Sequence, residues 1–128
     1  SVDVRPTYGL APEDMERMLR ESMARAKEDI VERLLVEARV EAERGIIELE
    51  SAMKQDGDLL EESEKKRLER QMQVVKNTMA GQDRDYIDAE AQELMRLAGP
   101  FAERRMDKAI QGALKGTHIE EVVKKQNA

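Results

Sequence analysis

The sequence predicts an all-α fold, and three observations carry that prediction. Charged residues make up 39% of its 128 residues, well above the roughly 25% usual in a globular domain. Aromatic residues are only 2%, a poor supply for a β-sandwich core or for base stacking. Apolar residues are 40%, mostly Leu, Ile, Val, Ala and Met, and they recur at helical spacing. Together these give a long helical arm, bent along its length, that leads into an antiparallel bundle with a soft aliphatic core.

The first element is the exception. Val2 and Val4 alternate with Asp3 and Arg5, a short strand signature that an unstructured leader could also produce by accident. Pro6 and Gly9 then punctuate the chain. A lone strand cannot form a sheet, so its partners belong to something outside this sequence. An opening at Ser1 inside that pattern reads as a segment cut from a longer chain.

From residue 13 to 54 the pattern is helical. Pro12 suits a first helical turn, and Glu13 and Asp14 suit the positive end of the helix dipole. The apolar stripe runs Met15, Leu19, Met23, Ala26, Ile30, Leu34, Ala38, Ala42, Ile46, Leu49, Met53, in steps of four or three. Such a length implies a long arm or two helices meeting at a bend, with the charge-dense residues 25–29 as the bend. Gly45 marks a close helix approach or a kink. Asp58 and Glu61 have capping-box spacing before a helix with Leu68, Met72, Val75 and Met79 inward, and Gly81 is read as its left-handed stop. Asp83 caps a third helix with Ile87, Ala91, Leu94 and Ala98 inward. Gly99-Pro100 is expected to break it. A last helix over 101–115 carries Ala102, Met106, Ala109, Ile110, Ala113 and Leu114, Gly116 ends it, and residues 117–128 form a polar, loose tail. The linkers are short, so neighbouring helices run antiparallel.

Chemistry is sparsely supplied. There is no cysteine, so disulfides, thiolate metal sites and a cysteine nucleophile are excluded, and His118 is the only histidine. A bundle di-iron site needs Glu-x-x-His on two helices, and the seven glycines are scattered rather than gathered in a phosphate loop. The net charge of −6 disfavours bulk nucleic-acid binding, and no apolar run reaches the roughly 18 residues of a membrane span. Arg104, Arg105 and Lys108 with interleaved acids read as a solvated helix face. Met72, Met79, Met95 and Met106 read as packing residues. Met15, Met18 and Met23 differ, because they precede the part of the arm that later helices can cover. An amphipathic half-helix without a partner implies a missing surface, either the absent sheet or another copy.

The residues at both ends resemble the C-terminal part of the 70-kilodalton heat-shock chaperones. Residues 1–29, with the Tyr8-Gly9-Leu10 turn and the Pro12-Glu13-Asp14 opening, look like the last strand of the peptide-binding β-subdomain and the first lid helix. Residues 101–122, with Ala102, Arg104-Arg105-Met106-Asp107 and Ala113-Leu114-Lys115-Gly116, are similar to the specialised HscA branch. The resemblance implies a lid that folds over a client peptide and slows its release. The parent chain would carry an ATPase domain with ATP and Mg, and would serve iron–sulfur cluster assembly on a scaffold protein with a J-domain cochaperone. In such lids an acid and a histidine one turn later form a polar latch. Glu43 matches the acid, Ile47 stands at the histidine position, and Glu43 is equally open to reading as a solvent-facing acid. Glu120-Glu121-Val122 is followed by Val123 and Lys124, which departs from the Glu-Glu-Val-Asp tail of cytosolic eukaryotic members.

The expected organisation is therefore a β-subdomain remnant over 1–10, a lid arm over 11–55, bundle helices over 56–116 and a tail over 117–128. The chain itself is expected to be non-catalytic, without cofactor or metal, and cytoplasmic. Met15, Leu19, Met23, Ala26, Ile30 and Leu34 are the face expected to meet the β-subdomain, and without it to drive self-association. The competing view is a stand-alone helical interaction or scaffold module unrelated to chaperones.

Overall fold

The computed structural model describes residues 11–126, with side chains described over residues 11–116. The strand read at residues 1–5, the Tyr8-Gly9-Leu10 turn and the His118 side chain lie outside the described residues. Helix α1 spans Pro12–Asp56, a single 3-10 turn follows at Gly57–Leu59, α2 spans Glu62–Met79 and α3 spans Arg84–Gln126. The predicted all-α class holds, and no strand occurs among the described residues. The chain divides into two compact units, Ser1–Glu37 and Ala38–Ala128.

In the first unit the backbone is helical from Pro12 onward. The Asp14 and Met15 amides donate to the Ala11 carbonyl at 3.0 and 3.1 Å, which starts the helix. The helix passes residues 25–29 without interruption, so the bend placed there is not a break in the ladder. The physical reason is that this stretch is charged but contains neither Gly nor Pro, the usual sources of a kink.

The second unit is a three-helix up-down-up bundle. The Lys76 ammonium donates to the Glu50 carboxylate at 2.9 Å, and Arg39 donates to the Met79 and Gly81 carbonyls at 3.1 and 2.7 Å. Arg39, earlier in α1, meets residues at and past the end of α2, whereas Glu50, nearer the end of α1, meets Lys76 before that end, as antiparallel neighbours must. The Gln71 amide donates to the carbonyl and carboxylate of Glu90 at 2.9 and 2.8 Å, tying α2 to α3. The core is built from Ala38, Ala42, Ile46, Leu49 and Ala52 of α1, Leu68, Met72 and Val75 of α2, and Ile87, Leu94 and Phe101 of α3. Each large side chain among them gains roughly 1.5–3 kcal/mol from burial. Thr78, the one buried polar side chain among the described residues, donates its hydroxyl to the Val74 carbonyl at 2.7 Å, so its burial leaves nothing unpaired.

Several local expectations are corrected. The capping box at α2 is formed by Glu61 and Glu64 rather than by Asp58 and Glu61. Gly81 does not adopt the left-handed backbone; a Cβ there would lie 3.3 Å from the Thr78 carbonyl oxygen, so the glycine serves close approach. No atom lies within 4 Å of a Cβ on Gly45, and α1 runs through it unbroken. Asp83 does cap α3, accepting from the Tyr86 amide at 3.2 Å. Met95 and Met106, read as packing residues, are 64% and 65% exposed. Ala102, Ala109, Ile110 and Leu114 are exposed too, because no described element lies over that side of α3.

The largest correction concerns Gly99-Pro100. The third and fourth helices of the sequence reading are one helix, which passes Pro100 and Gly116 and reaches Gln126. Proline still removes an amide donor, at about 3 kcal/mol in a helix interior. Pro100 is exposed, so water can reach the carbonyl that loses its partner. Beyond it, Phe101 is 2% exposed in the core, which holds the continuing helix in place.

The same turn of α3 is clamped to the corner between α1 and α2. Asp56 accepts from Arg105 at 2.8 Å and Lys108 at 2.6 Å, and Gln55 accepts from Arg105 at 3.0 Å. Arg104 donates to the Leu59 carbonyl at 3.0 Å and the Glu64 carboxylate at 2.9 Å, while the Arg105 guanidinium lies 6.0 Å from the Phe101 ring centroid. Hydrogen bonds from Arg105 and then Lys108 hold the Asp56 carboxyl below its usual 3.8. A hydrogen bond from Arg104, then one with the Glu61 backbone, holds Glu64 below its usual 4.5.

Two outcomes are expected. Pro100→Ala should raise stability to chemical denaturation by about 1–3 kcal/mol, because it restores the amide donor in a helix that already continues. A loss of stability would mean that proline is needed for the path of α3. Because Asp56 and Glu64 are depressed in the fold, their contribution is full above about pH 5 and drains away as pH falls through their folded values. Melting temperature followed against pH should therefore drop below about pH 4, and Asp56→Asn should flatten that drop while lowering the plateau at neutral pH.

Candidate interaction faces of the first helix

Two sets of α1 side chains stand without cover, one in each unit. In the first unit, Met15, Leu19, Met23, Ala26 and Ile30 are all exposed, and Leu34 is half-buried. Leu19 is 63% exposed and Met15 59%. At about 100° per residue the set occupies a strip near 100° wide, the width of a stripe that normally faces a core. Polar neighbours pair among themselves rather than over it: Arg17 with Asp14 and Arg20 with Glu16, both at 2.8 Å. Met18, Val31 and Val36 are exposed as well. Val31 and Val36 fall outside the four-and-three stripe, so in the sequence only their apolarity marks them.

In the second unit, Glu43 and Ile47 are both exposed. They lie one turn apart, on a side of α1 away from the buried row Ala38, Ala42 and Leu49. Val40, 47% exposed, extends them to an i, i+3, i+7 set. Among the described residues Glu43 has no ion-pair partner, whereas neighbouring Glu41 pairs with Arg44 at 3.2 Å. An isolated valine on a charged helix, Val40 carries no mark of its own in the sequence.

Among the described residues no group of three His, Cys, Asp or Glu side chains could hold a metal ion. No described helix is long and apolar enough to cross a membrane. Arg104, Arg105 and Lys108, read as a solvated cationic face, instead belong to the Asp56 and Glu64 clamp. What both α1 faces offer is apolar area bordered by charge, the composition of a protein contact.

Comparison with known proteins agrees in kind. The profile described as Hsp70 protein matches residues 1–107. The chaperone protein HscA homolog of Tolumonas auensis is 44% identical over 123 residues, covering 95% of this chain and 20% of the relative. The HscA homolog of Cupriavidus necator is 41% identical over 122 residues, with the same two coverages. Chaperone protein HscA of Photorhabdus laumondii is 37% identical over 121 residues, covering 94% of this chain and 20% of the relative. The chain thus spans about a fifth of the length of the curated relatives it matches. A helical bundle with an unpaired amphipathic arm, matched by this profile over most of its length, belongs to the Hsp70 family.

Proposed function

We propose that this chain is the helical lid of an HscA-like chaperone, closing over a client peptide held by a β-subdomain and slowing its escape. The observation that carries this reading is the exposed stripe Met15, Leu19, Met23, Ala26 and Ile30. Burying each large member gains roughly 1.5–3 kcal/mol, enough to hold a mobile lid closed and small enough to be reversed. Residues 1–10 are the end of the β-subdomain, residues 11–55 the arm and residues 56–116 the bundle. Membership of the Hsp70 family removes the competing reading of a module unrelated to chaperones.

Glu43 and Ile47 serve as the latch in this scheme. Glu43 meets a basic loop residue of the β-subdomain, and Ile47 replaces a polar contact by an apolar one. Val40 beside them adds apolar area. The chain itself does no chemistry; ATP and Mg belong to the ATPase domain of the parent, which acts in the cytoplasm. The relatives are named HscA, and the client class that follows is an iron–sulfur scaffold protein, delivered with a J-domain cochaperone.

The test uses the parent chain and a fluorescent peptide. Leu19→Lys with Ile30→Lys, and separately Ile47→Asp, should speed peptide release from the ADP-bound state at least about tenfold and leave ATP hydrolysis without peptide unchanged. Release at the parental rate in both variants, with helical content intact, would remove the lid reading. The isolated chain should neither hydrolyse ATP nor retain peptide; stoichiometric peptide binding seen by calorimetry would count equally against it.

A further inference from the structure

From Met95 onward α3 carries an apolar face that no described element covers. Met95, Met106, Ile110 and Leu114 are each at least half exposed, and Ala102 and Ala109 are exposed between them. At about 100° per residue, Met95, Gly99, Ala102, Met106 and Ala109 fall in a strip about 80° wide, with Ile110 on its border. Their spacing is 4-3-4-3, that of a coiled-coil seam. Ile87, Leu94 and Phe101, on another side of the same helix, are buried, so the strip is surplus to the bundle. Its size is on the order of the few-hundred-Å² patches that mark interaction sites.

We infer that this face pairs with the same face of a second copy, with the two α3 helices antiparallel about a twofold axis near residues 100–101. The register follows from shape and charge. It sets Met95 of each copy against Met106 of the other and brings Gly99 and Ala102 together at the crossing, where small side chains let the backbones approach. It also sets Arg96 of each copy, which pairs with Glu93 in its own helix, opposite Glu103 of the other, twice by symmetry. A register centred on the seam alone, near residue 104, would instead oppose Glu103 and Asp107 of the two copies, and like charges disfavour it.

A groove beside Met95 receives the end of the partner helix. It encloses about 240 Å³ and is lined by Ala38, Ala42, Gly45, Ala91, Leu94 and Met95. Gly45 keeps it open, since a Cβ there would meet nothing within 4 Å. In the chosen register Ile110 and Leu114 of the second copy lie over this floor, and its Lys115 comes near a rim where Glu41 pairs with Arg44 and Asp88 with Arg84. A twofold axis gives each copy both the knob and the groove, so the contact closes at a dimer.

The test is sedimentation equilibrium on this chain carrying Leu19→Lys and Ile30→Lys, which removes the arm stripe of the proposed lid. Failure here and failure of the lid reading are thereby separate. A dimer is expected, and adding Met106→Lys with Ile110→Lys should make it monomeric. Arg96→Glu should weaken dimerisation by about tenfold through its two symmetric pairs, and Arg96→Glu with Glu103→Arg should restore it. Circular dichroism at the same concentration checks that each variant stays helical. A monomer through the high micromolar range would overturn the proposal. So would a dimer indifferent to Met106→Lys with Ile110→Lys, or a double charge reversal no tighter than Arg96→Glu alone.

Discussion

Asp56 stands where α1 ends, with a side chain only 15% exposed, and it accepts hydrogen bonds from two cations of α3. A half-buried carboxylate without partners is costly, and one with two cations is favourable. That single requirement fixes the turn at Gly57–Leu59, the entry into α2 and the height at which α3 passes. Arg105 reaches Asp56 only if α3 is still helical one turn after Pro100. The continuity of α3 and the geometry of the corner are therefore one constraint seen from two ends.

The core on which this clamp closes is aliphatic and small on the α1 side, where three of the five buried residues of the second unit are alanines. Bulk comes from α2 and α3, through Leu68, Met72, Ile87, Leu94 and Phe101. With one phenylalanine in the whole sequence, its location matters. It sits just after Pro100 and beneath Arg105, so the largest side chain of the core also anchors the segment that local propensity would release. Stability of the second unit is thereby concentrated at the end that holds the corner.

Apolar area in this chain exceeds what its own core can use. The surplus falls on the stripe of α1 in the first unit, on Val40 and Ile47, and on α3 from Met95 onward. Each region is bordered by charges that keep it soluble rather than by polar residues that would replace it. A lid that must leave and return to its seat needs this condition, since a face sealed within its own bundle could not dock elsewhere. On the proposed lid reading, the first two surfaces meet a β-subdomain. The face on α3 finds its complement in its own charge pattern.

Much of this was legible in the residues. The spacing of Ala38, Ala42, Ile46 and Leu49, of Leu68, Met72 and Val75, and of Ile87 and Leu94 marked the buried rows, because periodicity in a helix is a direct image of which side is dry. Asp83 announced its cap by type and position. The uncovered arm stripe followed from counting which helices could reach it, and the end motifs carried the family. Other features depended on contacts distant in sequence. Local rules broke the chain at Gly99-Pro100, yet Phe101, Arg104 and Arg105 find partners up to 50 residues away whose combined hold exceeds the proline penalty. The same rules placed Met95 and Met106 inside, because an apolar residue on a helical stripe looks the same whether or not another helix arrives to cover it. Sequence thus determined the all-α class, the buried rows of the bundle and the kinship. Tertiary structure decided which apolar faces were left over, since burial depends on the neighbour as much as on the residue.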